Sequence, residues 1–255
     1  MLISNHLDTY KQVVLSLPNG KVLLKEDILI DDLLMARDGK LEMYYAPHNE
    51  ITNPSAKVMI IGLTPGFTQM RIALQAAKAA LEEGLSDEEV CGKAKEAARF
   101  AGTMKVNLVN MLNEIHLHRY LNLPSCDGLF QEHQQLLHTT SLLRFPVFVG
   151  KKNYSGAHPT LLSNPFLKTA ALSSIDEELE ILEQVLIIPL GKVVESALNV
   201  LVQEGRLDAN QCLWGFPHPS GANGHRHKQF ASNLDQMRDR VMASSTSSLS
   251  PSTSA

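Results

Sequence analysis

The stretch Lys57-Val-Met-Ile-Ile-Gly-Leu-Thr-Pro-Gly66 decides how this chain is read. Residues 57–63 form an apolar run without alternation, the pattern of a strand buried on both faces. Directly after it, two glycines and a proline let the backbone turn sharply and approach a ligand closely. Three more apolar runs read the same way, at 145–150, 184–190 and 211–216. Helical patterns separate them. One covers 67–81; another, over 88–100, opens on the capping box Ser86-Asp-Glu-Glu89. Ser174-Ile-Asp-Glu177 signals a helix ending near residue 183, and 191–204 and 225–242 supply two more. Strand, helix, strand in this order implies right-handed crossovers. The expected fold is α/β, a three-layer α/β/α sandwich around a central four-stranded parallel sheet.

Working outward, residues 6–17 read as a helix, followed by a turn at Pro18-Asn-Gly20 and further helical or irregular covering. No composition break interrupts residues 1–242, which read as one domain. Residues 243–255 hold seven serines and no charge, the composition of a disordered tail. Lys and Arg number 23 against 27 Asp and Glu, a formal net charge of -4. That balance excludes a polybasic, histone-like protein, but not a local patch that holds a few phosphates. No apolar run reaches the ~18 residues of a membrane span. The first residues turn polar without the charged and apolar regions of a signal peptide, so a cytoplasmic protein is expected. Cys91, Cys126 and Cys212 are far apart and odd in number. They fit no disulfide framework, zinc ribbon or four-cysteine iron–sulfur site, so neither metal nor cofactor is expected.

In an open parallel sheet, ligands bind outside the carboxyl ends of the strands. Two of those ends carry unusual loops. One is Gly62-Leu-Thr-Pro-Gly66; no Lys-Ser/Thr follows it, which argues against a phosphate-binding P-loop. The other is His218-Pro-Ser-Gly-Ala-Asn-Gly-His-Arg226, opening the final helix. His218, fixed between two prolines, can donate a hydrogen bond to an anionic leaving group. Ser220 and the N–H groups near Gly221 can hold a phosphate at a helix N-terminus. His225, Arg226, His227 and Lys228 form the densest basic patch in the chain.

Together the two loops resemble the motifs of the uracil-DNA glycosylase superfamily, of the forms Gly-x-x-Pro-Gly and His-Pro-Ser. The resemblance covers about residues 57 to 242. It implies base flipping followed by cleavage of the N-glycosidic bond, with DNA as the partner. His218 matches the residue that stabilises negative charge on the departing pyrimidine, and Ser220, Gly221 and Asn223 match a segment that grips DNA. Gly62 and Leu63 would line the base pocket through backbone groups, with Pro65 and Gly66 shaping it. Asn153 is similar in placement to an asparagine that reads the pyrimidine edge. Phe67 and Phe100 are candidates to stack on the base, with Tyr154 third. Lys151, Lys152, Arg226 and Lys228, with His225, would hold the backbone.

Three departures bear on the substrate. Thr64 stands where the family's uracil-excising members carry Asp or Asn to orient water, and a hydroxyl is a poor general base. Asp127, Asn107 and Asn110 are alternative catalytic groups. Asp127 also reads as part of a turn or cap, and Asn110 shares a helix face with Asn107. The long segment 67–103 remodels the pocket rim. Ala222 replaces a bulky wedge. The favoured reading is a DNA glycosylase for a bulky modified cytosine, such as the glucosylated cytosine of phage DNA, acting in anti-phage defence. Its rivals are a uracil-DNA glycosylase of base-excision repair, a catalytically weak DNA-lesion binder, and an unrelated α/β hydrolase or nucleotide-binding protein.

Overall fold

A computed structural model describes residues 1–100, 102–182 and 184–247. The chain opens with α1 (His6–Ser16), the single-turn α2 (Lys25–Ile28), and strands β1 (Leu34–Asp38) and β2 (Leu41–Tyr44). β3 (Val58–Gly62) leads into α3 (Phe67–Glu82), α4 (Asp87–Ala98), α5 (Gly102–Glu114) and the short α6 (Leu117–Tyr120). Then come β4 (Leu137–Ser141), β5 (Val147–Val149), β6 (Lys152–Asn153) and α7 (Pro165–Leu179). β7 (Leu186–Pro189), α8 (Lys192–Gln203) and α9 (Arg226–Ser247) complete the order. Among the described residues, no helix is long and apolar enough to cross a membrane.

The chain falls into two compact units, each gathered from three separated stretches. The first comprises Met1–Pro54, Gly62–Arg99 and Thr139–Leu182; the second comprises Ser55–Ile61, Phe100–His138 and the described residues from 184 onward.

The fold is α/β, with a three-stranded parallel sheet of order β4-β3-β7 rather than the four strands expected. β3 and β7 pair in register from Val58–Leu186 to Ile61–Pro189. The fourth apolar run contributes a single parallel bridge, Cys212 to Ile187, because Gly215 at φ 81° turns the chain away three residues later. In the second unit, Val58, Ile60 and Ile188 meet Leu108 and Leu112 of α5 and Leu213, Phe216 and Phe230 near α9. Each such aliphatic side chain contributes on the order of 1.5–3 kcal/mol on burial.

The expected strand at 145–150 lies elsewhere. It becomes β5 of an antiparallel sheet ordered β1-β2-β5-β6 in the first unit. Gly150 and Lys151, at φ 54° and 61°, form the two-residue turn that folds β5 back onto β6, a connection open only to antiparallel strands. The place beside β3 goes to β4, Leu137-His-Thr-Thr-Ser141, which is no apolar run. Its burial is made possible by hydrogen bonding: Thr140 Oγ1 donates to Glu178 Oε1 at 2.6 Å.

Two helix signals also differ from expectation. Ser174-Ile-Asp-Glu177 sits inside α7, whose start is set by Asn164 accepting from Leu167 N–H at 2.9 Å and by Pro165 at the first helical position. α9 continues through Ser247, five residues into the segment expected to be disordered; residues 248–255 lie outside the described residues. The Ser86–Glu89 capping box forms as expected.

Candidate functional site

The Gly62–Gly66 loop belongs to the first unit. Its backbone continues the sheet ladder: the Gly62 and Leu63 carbonyls accept from Leu142 and Leu143 N–H, both at 2.9 Å. Of the backbone groups expected to line a pocket, these two carbonyls are engaged in holding the loop. Thr64 Oγ1 donates to Phe145 O at 3.2 Å and accepts from Val147 N–H at 3.1 Å. Its one proton ties the loop to the segment entering β5. With its proton used, the hydroxyl can meet a further partner only as an acceptor. Pro65 is buried.

At Gly66 the chain enters α3, and Gln69 Oε1 accepts the Gly66 N–H at 3.1 Å. Gly66 has no side chain to cap the helix, so Asn153 does it from β6: its Oδ1 accepts the Phe67 N–H at 3.0 Å. A Cβ at Gly66 would stand 3.4 Å from Asn153 Nδ2. Because the Phe67 N–H demands an acceptor, the amide is oriented, and Nδ2 is left as its free donor end. Asn153 is exposed and Phe67 half-exposed. The Gly62–Gly66 turn, Asn153 and Phe67 are therefore brought together as expected. Tyr154 is not: it is buried, with its hydroxyl donating to Pro159 O at 2.7 Å.

The His218 loop belongs to the second unit. His218 Nδ1 accepts the Ser220 N–H at 3.2 Å, which assigns the ring proton of the neutral imidazole to Nε2. Burial pushes the imidazole pKa below its ordinary value, favouring that neutral form. The surrounding backbone is held from several sides. Asn107 Nδ2 donates to Pro219 O at 2.9 Å, Asn223 Nδ2 to His218 O at 3.3 Å, and Arg226 Nη1 to Ser220 O at 2.9 Å. Gly191, at φ 88°, lies so close that a Cβ there would stand 3.3 Å from His218 Cβ. His218 lines a cleft of about 710 Å3 with Gly191, Lys192, Trp214 and Asn223.

The expected phosphate cradle at Ser220 and Gly221 is largely satisfied from within. Ser220 Oγ accepts the Ala222 N–H at 3.2 Å, Ser220 O accepts the Asn223 N–H at 3.1 Å, and Asn223 Oδ1 accepts the His225 N–H at 3.3 Å. Arg226 likewise braces the loop through Pro219 O and Ser220 O, while His225 and Lys228 are exposed. Three other candidates belong to the second unit. Asp127 pairs with Lys105 at 3.1 Å and accepts from Gln131, in a 3-10 turn capped by Ser125. Phe100 packs on the core of the second unit, edge-on to Phe130. Asn110 is exposed on α5, whereas Asn107, on the same helix, reaches the His218 loop.

Ser141 is missing from the sequence-based set. It ends β4, the carboxyl end where a parallel sheet presents its ligand contacts, and its Oγ lies 3.6 Å from where a Gly62 Cβ would stand. The only signal in the sequence is a β-branched pair before a serine. Among the described residues, no group of three or more His, Cys, Asp or Glu is placed to hold a metal ion.

Comparison with known proteins agrees with this geometry. Residues 50–241 match the family model of the uracil DNA glycosylase superfamily. The chain is also 39% identical over 236 residues to the uncharacterized protein YoxB of Bacillus subtilis (strain 168), covering 92% of this chain and 91% of that one. The matched range holds both loops, the oriented imidazole and the Asn153-capped turn, and so this chain belongs to the uracil-DNA glycosylase superfamily.

Proposed function

We propose that the protein is a DNA glycosylase that removes a modified cytosine, leaving an abasic site. The observation that carries the chemistry is the His218 ring, held neutral with its proton on Nε2. As the bond from C1′ to the base breaks, its electron pair leaves with the base and charge collects on the pyrimidine O2. A neutral Nε2–H donates to that oxygen without first losing a proton. Donors of this kind contribute on the order of 10²–10³ in rate. Water then bonds to C1′, and its released proton ends on the departing base.

Asn153 supports a cytosine. Its Oδ1 is engaged by the Phe67 N–H, so Nδ2 is the end that can donate to a base. Cytosine offers that donor an acceptor at N3, whereas the N3–H of uracil would need the Oδ1 that the Phe67 N–H occupies. The Ser141 hydroxyl adds a contact beside Gly62, and Phe67 a ring for stacking. The engaged Thr64 hydroxyl argues against efficient uracil removal, because no carboxylate stands in that loop to activate water. On this reading the long segment 67–103 would make room for a substituent on the ring, and the activity would serve defence against phage with such DNA.

Uracil excision is the second reading, favoured by the family's name. The test incubates the protein with DNA carrying uracil, 5-hydroxymethylcytosine or its glucosylated form, and measures free base by mass spectrometry. Faster release of the modified cytosine, abolished in His218→Ala, is expected. Uracil release alone would transfer the assignment to repair, and no release from any substrate would leave a lesion-binding protein.

A further inference from the structure

Four lysines and an exposed leucine gather at one end of the first unit, partly on elements that precede the family match at residue 50. β2 runs antiparallel to β5 with Leu41 opposite Val149, so the Gly39-Lys40 and Gly150-Lys151 turns share an end of the sheet. The Gly150 N–H donates to Lys40 O at 3.3 Å. Lys25 reaches the same corner from α2. Its Nζ donates to Lys151 O at 2.9 Å and lies 5.8 Å from the centroid of the Phe67 ring. Lys25, Lys40, Lys151 and Lys152 thus border the turn where Asn153 caps α3. Lys40, Lys151 and Lys152 are exposed, and Lys25 is half-buried by these contacts.

Most acids on these elements are partnered. Asp27 takes Lys21, Asp31 and Glu42 take Arg37, and Asp38 accepts from Asn164. Glu26 and Asp32 are exposed. Beside Lys25, Leu24 is 56% exposed and Val22 is 58% exposed. Leu24 stands on a pinned turn: its N–H donates to Asp27 Oδ2 at 2.7 Å, and Lys21 O accepts from Gln75 Nε2 at 3.3 Å. An apolar tip held rigid among cations is the chemistry with which proteins enter a base step while neutralising the flanking phosphates.

We infer that residues 21–40, together with the 147–153 hairpin, form a DNA-docking surface in which Leu24 is the wedge that opens the duplex and the four lysines hold the strand. The inference rests on the glycosylase reading, which supplies the need to unstack a base. Its partner is duplex DNA, recognised by phosphate charge and by a step that yields to an apolar side chain.

The test measures binding of the full chain to a 20-base-pair duplex carrying 2-aminopurine and to the matching single strand, across a salt series. Lys40→Ala with Lys152→Ala should lower the salt slope by about 0.9 per lysine. Leu24→Ala should suppress the 2-aminopurine fluorescence rise and weaken duplex binding about tenfold while single-strand binding stays, and Leu24→Phe should restore both. All three positions are solvent-facing, and circular dichroism melts identify any variant that fails to fold. An unchanged slope, or equal loss on duplex and single strand, overturns the surface. If the variants behave as expected but wild type releases no base, the glycosylase reading fails and the surface stands. If wild type excises and the variants bind and excise like it, the surface fails and the glycosylase reading stands.

Discussion

Gly191→Ala should disable His218 without touching it chemically. Gly191 sits at φ 88° and ψ 167°, a region essentially restricted to glycine. Holding alanine there costs about 1–3 kcal/mol. The new Cβ would also stand 3.3 Å from His218 Cβ, closer than side-chain carbons ordinarily pack, with the backbone N of His218 at 3.6 Å. The neighbour has little room to yield, because the Gly191 N–H donates to Phe216 O at 2.9 Å and Asn107 clamps Pro219. For a chain of this size, a loss of about 2 kcal/mol lowers Tm by roughly 4–8 °C. Displacing a catalytic donor by an ångström can cost about 10²-fold in rate. Gly205→Ala is the control: Gly205 has φ 70° but nothing within 4 Å of its Cβ position. Both variants should melt lower; only Gly191→Ala should lose single-turnover excision and shift the ring-nitrogen NMR signals of His218. If Gly191→Ala loses no more activity than Gly205→Ala, the positioning argument is wrong.

Three further outcomes are expected. Asn153→Asp keeps an acceptor for the Phe67 N–H but removes the Nδ2 donors, so Tm should hold while excision of cytosine-type bases falls at least tenfold. Thr64→Val preserves shape but strands the Phe145 carbonyl and Val147 N–H, lowering urea-derived stability by about 1–3 kcal/mol. His48 is buried with both ring nitrogens unpartnered, and burial, aided by the charge of Lys95, pushes its pKa down to about 3. The unfolded chain takes up this proton below about pH 6.5 and the folded chain does not, so stability present above that pH is lost as it falls toward 3. Between pH 7 and 5 the loss is roughly 2 kcal/mol. Urea unfolding at the two pH values should show it in wild type and a flatter dependence in His48→Phe.

The strands that decide the fold were legible where burial on both faces wrote a continuous apolar run, as at Val58–Gly62 and Leu186–Pro189. β4 escaped because its burial is completed by a hydrogen bond from Thr140 to Glu178, a partner 38 residues away that no local pattern reveals. The run at 145–150 misled for the opposite reason: it is apolar, but the glycine at its end makes a hairpin rather than a crossover. At the site, the two loops were readable because turn residues mark them. What each polar group does inside them was not. Thr64 and Asp127 carry suitable chemistry that a partner elsewhere in the fold has taken, and Arg226 is taken up by carbonyls of its own loop. Asn107 and Ser141 show the converse, since only tertiary placement gives them a neighbour worth having.

The interleaving of the two units sets a timetable for synthesis. The first unit cannot close before residue 182 has been made, and the second takes β3 from early in the chain and β7 from 125 residues or so later. At about 5–20 residues per second, Val58–Gly62 waits roughly 6–25 s for the strand that pairs with it on that side. During that wait, four aliphatic side chains that end fully buried are open to any other strand edge. β4 emerges first and can cover one edge. Truncations made before residue 186 should therefore aggregate through this strand, and the chain should depend on chaperones more than a contiguous two-domain protein of equal length.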